Sequence, residues 1–130
     1  MNCIEQAKKI YTICVESASA KSLLTYQDVL AALGYKLCGG HVIRYGLELA
    51  WIACVDFGLP SITSIIVNKQ TQKPTASGYP IETWSDDVDA VFNFTIWPDV
   101  EEIDWIYVWN NRSLLSDLHG TRGYWNKIEQ

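Results

Sequence analysis

The sequence predicts an α+β domain: three N-terminal helices, then a strand and a wing-like loop, then a mixed, acidic C-terminal region. Three observations carry this expectation. Apolar residues recur at helical spacing over residues 2–20 and 43–57, and a β-branched run occupies residues 62–68. Between Pro74 and Asn111 the chain carries eight carboxylates and no lysine or arginine. At 130 residues, with 48% hydrophobic and 19% charged residues, the chain is long enough for one real core and lies far from the composition of disorder.

Taken in order, Ile4, Ala7, Ile10, Tyr11, Cys14, Val15 and Ala18 recur at three- and four-residue steps opposite Glu5, Lys8, Lys9 and Glu16, which predicts an amphipathic helix. Thr25 is placed to cap a second, short helix with Asp28 in its first turn, Val29, Leu30 and Leu33 on its apolar face and Gly34 as its stop. After Gly39-Gly40, the residues Ile43, Leu47, Ala50, Trp51, Cys54 and Phe57 predict a third helix that ends at Gly58 before Pro60. Ile62, Ile65, Ile66 and Val67 predict a strand, followed by a surface loop over Lys69–Pro80, which is rich in proline, glycine and small polar residues. From Ser85 the acids Asp86 and Asp87 suit a helix start, although the alternation over Val91–Trp97 also fits a strand. Residues 98–112 have acids at one end and Arg112 at the other, which favours a helix; Ile103, Trp105, Tyr107 and Trp109 equally form one strand face. Leu114 to Gln130 reads as a closing segment tied down by Tyr124 and Trp125. The periodicities place Ile4, Ile10, Val15, Val29, Leu33, Ile43, Leu47, Trp51 and Ile65 in one core.

Charge divides the chain in two. Glu82, Asp86, Asp87, Asp89, Asp99, Glu101, Glu102 and Asp104 make one stretch uniformly negative, while the remainder carries ten basic and seven acidic residues. Four of the six tryptophans, Trp84, Trp97, Trp105 and Trp109, lie within the acidic stretch, and aromatics among one-signed charge are typical of interaction surfaces.

Catalytic and metal chemistry find little support. Cys3, Cys14, Cys38 and Cys54 show no C-x-x-C spacing and no histidine in zinc register, so they are expected as free thiols. His41 and His119 lack a neighbouring acid and nucleophile, and neither acid cluster follows the calcium-loop pattern. Gly39-Gly40 belongs to no phosphate-cradling motif. The expectation is therefore a protein without cofactor, metal or enzymatic activity. With no apolar run of membrane-spanning length and a charged N-terminus, it is expected in the cytoplasm.

Leu24-Thr25-Tyr26-Gln27-Asp28-Val29-Leu30-Ala31-Ala32-Leu33-Gly34 resembles the helix-opening segment of the winged-helix domain of DNA alkyltransferase-like proteins. The resemblance extends over residues 24–68. It implies a winged-helix-like fold in which Val42–Phe57 stands where the recognition helix would be. The family's Pro-Cys-His-Arg motif falls on Pro60, Ser61, Ile62 and Thr63, so the acceptor thiol and its activating histidine are both missing, and alkyl transfer is excluded. Tyr26 matches a functional position of that family, and Arg44 stands one position, about 100° of helix rotation, from the place of its base-stack arginine.

Two function classes follow. The acidic stretch favours an immunity or inhibitor protein in which Glu82, Trp84, Asp86, Asp87, Asp89, Trp97, Asp99, Glu101, Glu102 and Asp104 cover the basic surface of a protein partner such as a nuclease toxin. The alternative is a winged-helix nucleic-acid-binding or adaptor module using Tyr26, Lys36 and Arg44. The excess of acids weighs against nucleic acid, which demands a basic footprint.

Overall fold

The computed structural model describes residues 1–35, 39–74 and 81–121, and over them the chain is mostly helical with one small parallel sheet. Helix α1 (Cys3–Ser19) starts where the Asn2 side chain accepts the Glu5 amide at 2.8 Å. Strand β1 (Leu24–Thr25) leads directly into α2 (Tyr26–Ala32). Thr25 Oγ1 accepts the Asp28 amide at 3.0 Å and Asp28 Oδ2 accepts the Thr25 amide at 2.9 Å, a reciprocal capping box. Helix α3 (Arg44–Phe57) follows a 3₁₀ turn over Gly40–Ile43. Both α2 and α3 stop at a left-handed glycine, Gly34 (φ 88°) and Gly58 (φ 87°), where the chain folds back so that Tyr35 and Leu59 donate to Leu30 and Cys54 carbonyls at 2.8 Å.

Helix α3 is the centre of the molecule. Glu48 through Cys54 are buried without interruption, and seven residues at about 100° each point in every direction around the axis. The sequence explains most of this: Leu49, Ile52 and Ala53 are as apolar as the expected face of Leu47, Ala50, Trp51 and Cys54, so apart from the buried Glu48 the stretch is hydrophobic on every side and has to be enclosed. Helices α1, α5 and α6 and the two 3₁₀ turns beside it supply the enclosure.

The expected strand over residues 62–68 is mostly not one. Ile62–Ile65 form a 3₁₀ turn, and only Ile66–Val67 are strand β2, paired in parallel with β1 in the register Leu24 to Ile66 and Thr25 to Val67. A strand turns alternate residues to opposite faces, but here every residue from Ile62 to Val67 is buried. Three residues per turn set Ile62 and Ile65 on the same side, which suits a segment packed against α1, α3 and α4 at once. Because β2 pairs in parallel with β1, the loop after it is not the tip of a hairpin within this sheet. Asn68 closes it instead, with its amide donating to Lys73 O and its Oδ1 accepting the Gln70 amide, both at 2.8 Å. The rest of the expected wing, residues 75–80, lies outside the described residues.

The acidic C-terminal region is helical. Helix α4 (Ile81–Asn93) takes in Ser85 and the first three residues of the Val91–Trp97 segment that had admitted a strand, residues 94–97 being neither helix nor strand, and a 3₁₀ turn (Val100–Glu102), α5 (Trp105–Asn110) and α6 (Arg112–His119) follow. Of the nine residues expected in the core, Ile10, Val29, Leu33, Ile43, Trp51 and Ile65 are buried, and Ile4, Val15 and Leu47 are partly buried against it. No described helix is long and apolar enough to cross a membrane.

Candidate functional site

The eight carboxylates of the acidic stretch fall into two groups with different employment. Those of residues 99–104 are occupied locally. Asp99 and Glu102 form a capping box on the 3₁₀ turn, where Glu102 Oε2 accepts the Asp99 amide at 2.9 Å. Asp104 caps α5 by accepting the Tyr107 amide at 3.0 Å. Glu101 holds Lys8 of α1 at 3.0 Å, across a shallow groove that also contains Lys9. These acids are exposed, yet each one explains a turn, a helix start or a contact.

Those of α4 are arranged differently. Glu82, Asp86 and Asp89 are exposed and stand at i, i+4 and i+7, which puts them within about 40° of one line on the helix surface. Asp87 is turned aside and half-buried, with its Oδ2 accepting the Thr83 hydroxyl at 3.2 Å. Opposite the acidic line, Val88 and Val91 are buried, and the Trp84 indole donates to Ser64 O at 2.7 Å, which fixes the helix to the 3₁₀ turn beneath it. The orientation of the acids is thus set by an anchored apolar face.

The tryptophans serve mainly to hold the structure together. Trp105 is buried and donates to Val100 O at 2.8 Å. Trp97 is partly buried, its ring edge-to-face with Phe94 (4.7 Å between centroids) and Tyr11 (6.4 Å). Trp109 lies under the Arg112 guanidinium, 4.0 Å from its ring centre. Of the four, Trp105 is buried and Trp84, Trp97 and Trp109 are partly exposed; the large, more exposed apolar residues of this region are Ile96, Ile106, Tyr107, Leu114 and Leu118.

Tyr26 is the first residue of α2 and packs partly against the core; Arg44 is exposed in the first turn of α3; Lys36 lies outside the described residues. Elsewhere, His119 and Asp56 meet at 3.0 Å between the ends of α6 and α3, a pair that sequence spacing did not suggest. Among the described residues no group of three or more His, Cys, Asp or Glu side chains is arranged to hold a metal ion. Cys3, Cys14 and Cys54 are free thiols, and Cys38 lies outside the described residues.

No protein-family model matches the chain, and no curated protein or solved structure gives a significant match to it.

Proposed function

We propose that the chain is a non-catalytic protein-binding module of the inhibitor or immunity type, whose acidic surface covers the basic face of a protein partner such as a nuclease toxin. The observation that supports this reading is the Glu82, Asp86 and Asp89 line on α4. Like charges at i, i+4 and i, i+3 each destabilise a helix by roughly 0.2–0.5 kcal/mol. Glu82, in the first turn, is favoured by the helix dipole, but the helix gains nothing from extending the line to Asp86 and Asp89, whereas a positively charged partner converts the line into steering and specificity. A nuclease needs a positive surface to attract phosphate, so it is the type of partner this charge distribution fits.

The test uses Glu82→Gln, Asp86→Asn and Asp89→Asn together, which removes charge while keeping shape. A partner isolated on the immobilised wild-type chain is expected to associate severalfold more slowly with the variant at about 50 mM salt and nearly equally at about 500 mM, because exposed charges act through screened fields. Unchanged association at low salt sinks the reading.

A winged-helix nucleic-acid-binding or adaptor module is the second reading. It draws support from one feature, the placement of β1 between α1 and α2 and its pairing with the strand after α3. Against groove reading stands the burial of α3 over residues 48–54, since a recognition helix has to present one free side to the base edges. On this reading DNA contact falls to Tyr26, Lys36 and Arg44. Duplex DNA shifted by the chain at low salt, and released by Arg44→Ala, would support it; an unshifted duplex removes it.

A further inference from the structure

No further inference is drawn: the strongest candidate, the outward apolar face of α5 and α6 made by Ile106, Tyr107, Leu114 and Leu118, carries nothing because nothing in the structure shows what covers it.

Discussion

Position 46 shows how tightly single residues are held where α1 meets α3. A Cβ at Gly46 would stand 2.7 Å from Gln6 Cβ and 2.8 Å from Gln6 Oε1, closer than carbon and oxygen approach without repulsion. Gln6 has no room to yield, since it is buried and its Nε2 donates to Tyr35 Oη at 3.2 Å and Val42 O at 3.0 Å. Gly46→Ala is therefore expected to lower stability by about 1–3 kcal/mol in urea unfolding, through overpacking rather than backbone conformation. Thr25→Ala tests a different local term, because it removes one half of the α2 capping box; a loss of about 1 kcal/mol is expected, with Thr25→Ser recovering most of it. The box was legible in the sequence, since Thr25 and Asp28 stand at the required spacing. The restriction at Gly46 was not, because it depends on which residue of another helix arrives opposite.

At the scale of elements, α4 shows how an apolar face determines what a charged face presents. Val88 and Val91 are buried and the Trp84 indole reaches Ser64 O, so the helix has one rotational setting. Trp84→Phe keeps most of the apolar area but leaves the carbonyl of fully buried Ser64 without its indole donor, and a loss of about 1–2 kcal/mol is expected from thermal unfolding. The same variant should weaken any association that depends on Glu82, Asp86 and Asp89, because their common direction comes from this anchor. Residues 62–65 teach a complementary lesson. Their β-branched composition favoured a strand, and burial from α1, α3 and α4 together favoured a 3₁₀ turn, with the tertiary environment prevailing over propensity.

For the whole molecule, one core runs from Ala7 in α1 to Leu115 in α6, and it encloses groups that cannot ionise there. Burial pushes the Cys54 thiol up to about 12 and the Cys3 thiol up to about 11 from an ordinary 9.0, and it raises Cys14 and Tyr11 as well. Tyr11 also donates to Pro98 O at 2.6 Å, tying α1 to the segment before the 3₁₀ turn. The unfolded chain loses these thiol protons near pH 9 while the folded chain keeps them. The unfolded state thus binds fewer protons, and stability declines as pH rises, by up to about 1.4 kcal/mol per pH unit for each such group. The stability contribution is complete below pH 9 and disappears as pH passes through the raised values. Urea midpoints measured from pH 8 to pH 11 should fall progressively, and a flat profile would contradict the burial of these thiols. Consistent with that burial, a thiol reagent at pH 8 is expected to leave Cys14 and Cys54 unmodified until the chain unfolds.

The sequence by itself determined the elements whose signals are local. α1, α2 and α3 appear where apolar spacing, the Thr25 cap and the glycine stops at Gly34 and Gly58 placed them, because helical period and capping act within a few residues. It also disclosed the segregation of charge, which needs no coordinates. Only the tertiary structure decided what each acid does. The carboxylates at 99, 101, 102 and 104 are taken up by caps and by Lys8, while those at 82, 86 and 89 remain a free line on α4, a distinction that depends on amides and cations brought close by folding. It alone decided that Trp105 is buried while Trp84, Trp97 and Trp109 are packed partly against the core, and that Ile106, Tyr107, Leu114 and Leu118 face outward together. Composition records how much apolar surface a chain carries, but which part stays outside is settled by the packing of α5 and α6 on α3, a contact between residues far apart in sequence.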